Sequence, residues 1–142
     1  AAIKRNLKEY PDRKHVVAID FLTLIRHLNP SGNSHKDLSD IIRELKQICK
    51  DLDIPMVVLA QLNRGVESRT DKRPNMSDIG ESGTTEQIAD LIAFLYRDEY
   101  YNPDTETPGI TELIIAKNRN GSTGTVKLKF IKETNVFRDV VM

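Results

Sequence analysis

The chain has 142 residues, of which 39% are hydrophobic and 30% charged, a balance typical of a globular domain. Lys plus Arg and Asp plus Glu each total 21, which argues against a protein that holds nucleic acid by bulk positive charge. The single cysteine, Cys49, excludes a disulfide framework and a cysteine metal site, and no apolar run approaches the roughly 20 residues of a membrane span. We therefore expect one cytoplasmic domain without a membrane segment.

Hydrophobic spacing predicts two helices and two strands in the first 60 residues. The spacing of the apolar residues over 3–10 predicts a helix, and residues 15–20 (HVVAID) are typical of a strand that is buried on both faces. A continuous apolar stripe predicts an amphipathic helix over 36–52, with Ser34 as its N-terminal cap. Residues 54–60 (IPMVVLA) predict a second buried strand.

The second half of the chain predicts a long polar loop and then mainly strands. Residues 62–85 show no apolar periodicity, and a loop of that length is usually functional or mobile. Residues 89–96 predict a third strand, whereas 112–116 and 125–131 alternate as antiparallel strands do, around an Asn120-Gly121 turn. The order predicts an α/β fold, flanked by helices, whose sheet is mostly parallel with an antiparallel hairpin at one edge.

Two polar residues follow the first two predicted strands. Asp20 ends a strand in the manner of a Walker B carboxylate, which can hold Mg²⁺ beside nucleotide phosphates. Gln61 has both donor and acceptor groups, with which it could contact a γ-phosphate or orient a water. Taken alone, each residue is better explained as an ordinary polar strand end that bonds to its own loop. Ligands on such sheets bind beyond the carboxyl ends of the strands, so both positions are candidates.

Two groups of cations are candidates for phosphate contacts. Lys117 and Arg119 lie two residues apart, so in an extended segment both would point the same way and could clamp phosphate oxygens. A solvated basic turn explains this pair equally well. The long loop carries cations that could contact a phosphate backbone, although acids interspersed among them weaken that case. These cations are Arg64, Arg69, Lys72 and Arg73, and the acids are Glu67, Asp71, Asp78 and Glu81.

Several segments together closely resemble the later motifs of DnaB-type replicative helicases. They are residues 56–64 (MVVLAQLNR), 71–99 (DKRPNMSDIGESGTTEQIADLIAFLYRDE) and 114–124 (IIAKNRNGSTG). The strand that ends at Asp20 resembles the Walker B motif of that family. The resemblance covers nearly the whole chain from about residue 14 onward, in the family's order.

The resemblance implies a RecA-like core that assembles as a ring hexamer, with ATP and Mg²⁺ between neighbouring subunits. It implies that Asp20 is the Mg²⁺-associated acid and that Gln61 senses the γ-phosphate. It also implies that Lys117 and Arg119 reach the adjacent subunit's nucleotide, with Arg119 as an arginine finger. Residues 80–83, which include Gly80, Glu81 and Gly83, match a loop that touches single-stranded DNA in the central channel.

The chain departs from the family pattern in two ways. Gly80 stands where the family usually has Arg, so one cationic DNA contact is lost; either Arg69, Lys72 or Arg73 substitutes for it, or DNA binding is weaker. There is also no G-x-x-x-x-G-K-[ST] phosphate-binding loop, which in the family lies upstream of Walker B together with a general-base Glu. We therefore expect residues 1–142 to be a partial RecA-like ATPase domain that is inactive alone.

For the parent protein we expect a hexameric, ATP-dependent DNA helicase, with primase and a helicase loader as further partners. Two other interpretations stay open. One is a non-catalytic, helicase-derived module that binds DNA or helicase subunits, and the other is a fragment of a RecA-type recombinase.

Overall fold

The computed structural model describes residues 2–80 and 82–140, and these form two compact units. The first unit contains the described residues up to Gln61 together with Ile79–Ile88. The second contains Leu62–Asp78 together with the described residues from Ala89 onward. The chain thus passes from the first unit to the second and back before it enters the second unit again.

The first unit has three helices and a pair of parallel strands. Its elements are α1 (Ala2–Glu9), β1 (Val17–Ile19), α2 (Ser34–Leu52), β2 (Met56–Val58) and α3 (Ser82–Ile88). Strands β1 and β2 are parallel, with Val17 opposite Met56 and Ile19 opposite Val58. This confirms the predicted pair of parallel strands, although each is shorter than the apolar run that indicated it.

Helix α2 is the predicted amphipathic helix, but the residue that caps it is Asn33 and not Ser34. The Asn33 side chain accepts hydrogen bonds from the backbone nitrogens of His35 and Lys36. Asn33 has an extended backbone, which places its side-chain oxygen below the first turn, whereas Ser34 is already helical. The helix ends at Asp53, whose φ of 49° is left-handed and whose N–H bonds to the carbonyl of Cys49.

Helix α3 begins inside the segment 62–85 that the sequence predicts to be a loop, and it continues to Ile88. Its residues (SGTTEQI) contain one strongly apolar side chain, so no hydrophobic periodicity reveals it. A hydrogen bond of 3.0 Å between the hydroxyls of Ser39 and Thr84 joins α3 to α2. The buried apolar side chains of this unit are Leu22, Ile41, Ile54 and Ile79.

The second unit contains a four-stranded antiparallel sheet in the order β3-β4-β5-β6. The strands are β3 (Leu91–Tyr96), β4 (Ile110–Asn118), β5 (Gly124–Ile131) and β6 (Val136–Asp139). The predicted β4–β5 hairpin is confirmed, with Leu113 opposite Val126, and β6 was not predicted.

The expected predominance of parallel pairing is not what the described residues show, because two strands pair in parallel and four antiparallel. The reason lies in β3, whose unbroken apolar run (residues 89–96) predicts a strand without indicating its partner or which face is buried. In the structure Ile92, Phe94 and Tyr96 are buried, whereas Leu91 and Leu95 are 53% and 58% exposed. An unbroken apolar run does not reveal this alternation.

The segment Leu62–Asp78 is a folded connection and not an open loop. It contains two short 3₁₀ turns, Arg64–Ser68 and Met76–Asp78, and Val66 is buried. The backbone nitrogen of Asn63 donates to the carbonyl of Asp78 at 2.7 Å, so the two ends of the segment are joined. Across residues 2–80 and 82–140, no helix is both long and apolar enough to cross a bilayer.

Candidate functional site

Asp20 and Gln61 lie beyond the carboxyl ends of the parallel pair. Asp20 directly follows β1, and Gln61 comes three residues after β2. Leu59 donates a backbone hydrogen bond to Ile19 at 2.9 Å, and Leu22 donates one to Leu59 at 2.8 Å, so the chains stay side by side past the strands. Both polar residues are exposed, and neither side chain bonds to another described residue. They are therefore open to a ligand at one edge of this pair.

The residues at this edge fit a magnesium–nucleotide complex in their chemistry. Within the described ranges, no group of three or more His, Cys, Asp and Glu side chains could hold a metal ion alone. Mg²⁺ beside a nucleotide needs no such group, since phosphates and waters supply most of its ligands and one or two carboxylates complete them. The exposed carboxylate of Asp20 is sufficient for that smaller role.

Lys117 and Arg119 both reach the two residues that precede β3. Lys117 lies in β4 opposite Ile92, and its Nζ donates to the carbonyl of Ala89 at 2.7 Å. The guanidinium of Arg119 is 3.0 Å from the carboxylate of Asp90, and each of these side chains is 50% exposed. The structure thus brings the predicted pair to one short segment of its own chain.

The turn that carries Arg119 is shaped by two neighbouring residues. The Asn118 side chain donates to the carbonyl of Ser122 at 3.2 Å and accepts from the backbone nitrogen of Asn120 at 3.2 Å. A Cβ added at Gly121 would lie 2.8 Å from the Asn118 amide nitrogen, closer than such atoms approach. Asn118 and Gly121 therefore allow the tight turn that presents Arg119.

Three of the four cations of the segment Leu62–Asp78 bond within the chain. Arg69 pairs with Asp78 at 2.7 Å, and Arg73 pairs with Glu112 at 2.8 Å. Lys72 donates to the carbonyl of Glu67 at 3.0 Å and lies over the ring of Tyr101. Their predicted contact with DNA stays a prediction.

The acidic partners Asp90 and Glu112 were not singled out by the sequence. Each lies far along the chain from its arginine, 29 residues for Asp90 and 39 for Glu112, so no local pattern could reveal the pair. Asp78 was noted only as one of several acids among the cations. Its spacing of nine residues from Arg69 likewise matches no helical or strand repeat.

Two of the predicted DNA-contacting residues lie near the start of α3, with Gly80 before the helix and Gly83 in its first turn. Gly80 is half-buried and Gly83 is exposed, and a Cβ added at either would meet no atom within 4 Å. Glu81 lies outside the described residues. At Gly80 there is therefore space for the Cβ that any other residue would add.

Comparisons with known proteins agree with the motifs and the fold. The DnaB-like helicase C-terminal domain matches residues 1–139. Replicative DNA helicase DnaC of Bacillus subtilis (strain 168) is 54% identical over 123 residues, which are 86% of this chain and 27% of that protein. Replicative DNA helicase DnaB of Geobacillus stearothermophilus has the same identity and coverage.

Two solved structures share the fold over nearly the whole chain. One, described as an ATPase domain, has a TM-score of 0.95 and 42% identity, over 99% of this chain and 49% of that one. The other, a DnaB-like replicative helicase described with its interactions with primase, has the same TM-score and identity, over 34% of its chain. The chain spans about a quarter (27%) of the curated relatives it matches. On sequence and fold alike, this chain belongs to the DnaB-like helicase C-terminal domain family.

Proposed function

We propose that the protein containing this chain is a hexameric replicative DNA helicase, which couples ATP hydrolysis to movement along single-stranded DNA and to duplex unwinding. One observation carries the proposal. In a chain of this family, Asp20 and Gln61 follow adjacent parallel strands, are exposed, and bond to no other described side chain or backbone group. That is the edge at which ligands bind such sheets.

Asp20 and Gln61 take different parts in this proposal. The Asp20 carboxylate holds Mg²⁺, directly or through water, and the ion when bound neutralises phosphate charge. The Gln61 amide has donors for a γ-phosphate oxygen and an acceptor for an attacking water. Because Gln61 directly precedes the segment Leu62–Asp78, a change in its contacts is passed to that segment.

Lys117 and Arg119 act on the nucleotide of a neighbouring subunit in this proposal. Arg119 must then exchange Asp90 for phosphate oxygens. An exposed ion pair contributes only about 0.2–1 kcal/mol, and half of each of these two side chains is exposed to solvent. Breaking the pair with Asp90 therefore costs little free energy. The Arg119 guanidinium then stabilises negative charge that develops during hydrolysis.

In this proposal, single-stranded DNA contacts residues 80–83 and, separately, the ammonium group of Lys72. Residues 80–83 include Gly80, Glu81 and Gly83. Lys72 keeps N–H donors beyond the one that bonds to Glu67, and these can contact phosphate. A ring that threads one strand needs only such short contacts, which agrees with a net charge of zero. Primase and a helicase loader are the further partners that we propose.

The test uses the full-length protein that contains this chain. We expect native mass measurement with nucleotide to show a hexamer, and a forked duplex to be separated only when ATP and Mg²⁺ are present. Asp20→Asn should abolish separation while the hexamer persists. Joint-molecule formation without unwinding would favour a recombinase, and DNA binding without ATP turnover would favour a non-catalytic module. The 142-residue chain alone should show no ATP turnover.

A further inference from the structure

The segment Leu62–Asp78 connects two parts of the proposed machinery. It begins directly after Gln61 and ends before Ile79 and Gly80, where the proposed DNA contacts start. Between these points its residues belong to the unit of the antiparallel sheet. Whatever holds the segment in that unit therefore determines how the γ-phosphate sensor is linked to the DNA-contacting residues.

Arg69 closes this segment on itself. Its guanidinium donates two hydrogen bonds to the Asp78 carboxylate, at 3.1 and 2.7 Å, and the Asp78 side chain is only 8% exposed. The same carboxylate accepts the backbone nitrogen of Asn75 at 2.8 Å. Arg69 also donates to the carbonyl of Arg73 at 2.9 Å, which links the two arginines.

Arg73 attaches the segment to the sheet. Its Nε and one terminal nitrogen each lie 2.8 Å from an oxygen of Glu112, the two-pronged geometry that only arginine provides. Glu112 lies in β4, six residues before Asn118, where the strand ends and the turn with Arg119 begins. The pKa of Arg73 is held above its ordinary value, chiefly by these bonds to Glu112.

Two tyrosines support the same attachment. The Arg73 guanidinium lies 4.7 Å from the ring centre of Tyr96, and the Lys72 ammonium lies 5.5 Å from that of Tyr101. The two rings are stacked with centres 6.1 Å apart. Burial raises the pKa of Tyr96 to about 12, so the ring stays neutral beneath the cation.

We propose that Arg69 and Arg73 are positioning residues, which clamp the segment Leu62–Asp78 to the sheet that carries Lys117 and Arg119. The inference rests on the proposed function and gives these two arginines a role other than DNA contact. Through the clamp, the connection that follows Gln61 moves together with the strand that leads to Arg119. The segment that directly follows Gln61 and the strand that leads to Arg119 are thereby held together within one unit.

The alternative, direct contact of Arg73 with DNA phosphate, predicts the opposite effect of changing its partner. A phosphate at Arg73 would have to displace Glu112 or lie close to its negative charge. Removal of that charge would then strengthen DNA binding. If Arg73 is part of a clamp, removal of the same charge weakens the clamp and leaves the affinity for DNA nearly unchanged.

The experiment compares Arg73→Lys, Glu112→Gln and the double variant in the full-length protein. Arg73→Lys keeps the charge but loses the two-pronged bond, and Glu112→Gln keeps the shape but loses the charge. Arg43→Lys is the matched control, because Arg43 forms a 3.1 Å ion pair with Asp40 on α2, which belongs to the other unit. The readouts are hexamer mass, ATPase with and without single-stranded DNA, and DNA affinity as a function of salt concentration.

We expect each single variant to form hexamers and to lose roughly fivefold or more of the stimulation of its ATPase by DNA, the low end of ordinary coupling between sites. The double variant should lose no more than the worse single variant, because both changes break one contact. The salt dependence of DNA binding should not change. Arg43→Lys should match the wild type.

Three results would overturn the proposal: normal DNA stimulation in Glu112→Gln, additive losses in the double variant, or tighter DNA binding by Glu112→Gln. If a variant fails to form hexamers, hydrogen exchange of the wild-type protein decides whether the segment is clamped or is an open loop. Slow exchange of the Asn75 amide, which bonds to Asp78, supports the clamp, and exchange at the rate of an open loop contradicts it. Failure of the proposed function is separate, since it would appear as a wild-type protein without ATP-dependent unwinding.

Discussion

Arg119 bonds to Asp90 through both its backbone and its side chain. Its backbone nitrogen donates to the Asp90 carbonyl at 2.8 Å, and its guanidinium donates to the Asp90 carboxylate at 3.0 Å. The first bond fixes the turn after β4 to the residue before β3. The second occupies the group that we propose to act on the neighbouring subunit's nucleotide.

Asp90→Asn should therefore raise the ATPase activity of the full-length hexamer. An exposed ion pair contributes up to about 1 kcal/mol, so its loss should raise turnover by at most roughly fivefold. The measurement is steady-state ATPase, with Asp40→Asn, which breaks the exposed pair with Arg43, as the control. A tenfold fall would show that Asp90 orients Arg119 for catalysis and does not merely restrain it.

Arg119→Ala should remove most ATPase activity and leave nucleotide binding largely intact. Arginine fingers contribute about 10³–10⁵-fold to phosphoryl transfer, and their guanidinium acts on charge that develops during the reaction. Turnover and nucleotide affinity are measured separately on hexamers. Arg119→Lys should recover only part of the rate, because lysine lacks the planar fork. Turnover close to that of the wild type in Arg119→Ala would contradict the assignment.

Gly80→Arg should tighten the binding of single-stranded DNA. A Cβ at Gly80 meets no atom within 4 Å, so the first atom of a larger side chain is accommodated there. Each added phosphate contact should steepen the dependence of log affinity on log salt by about 0.7. Affinity is measured across a salt series, with Gly80→Gln as the uncharged control. Equal effects of Arg and Gln would mean that no phosphate lies near this residue.

Asn33→Ala should loosen the first turn of α2, whereas Ser34→Ala should leave it unchanged. The Asn33 side chain accepts the hydrogen bonds of two backbone nitrogens, and loss of such a cap costs about 1 kcal/mol. We expect the His35 and Lys36 amides to exchange faster in Asn33→Ala. Faster exchange of the same two amides in Ser34→Ala would instead identify Ser34 as the N-terminal cap.

The loop before β4 should loosen in acid because of Glu99. The backbone N–H of Gly109 donates to the Glu99 carboxylate at 2.8 Å and, as the largest cause, lowers its pKa below the ordinary 4.5. The stabilisation of the loop by this hydrogen bond is complete above about pH 4.5. It is lost as the pH falls through the lower pKa that Glu99 has in the folded state. Amide exchange of Gly109, followed from about pH 6 to about pH 3, measures this.

Glu99→Gln should flatten that pH dependence. The matched control is Glu106→Gln, an exposed acid of the same loop that pairs with no other described residue. Glu106→Gln should behave as the wild type. A pH dependence that survives in Glu99→Gln would place its origin in another group.

The sequence alone was sufficient for the elements whose cause is local. The apolar stripe of α2, the apolar runs of β1 and β2 and the alternation of β4 and β5 each appear in the structure, because burial of one face needs only a repeated spacing. Helix α3 and strand β6 were missed, because neither has a clear apolar repeat. The motifs were also enough to indicate the helicase family.

Only the tertiary structure decided which charged groups meet. The density of cations in the sequence made phosphate contact by Arg69 and Arg73 one interpretation, and the fold brings Asp78 and Glu112 to them. The fold also brings Asp90 next to Arg119, although the two residues are 29 positions apart in the chain. Ion pairs of this kind depend on where the chain returns in space, and that follows from the packing of whole strands, not from the residues beside each charge. The sequence determined which chemical groups are present, and the tertiary structure determined which of them are paired.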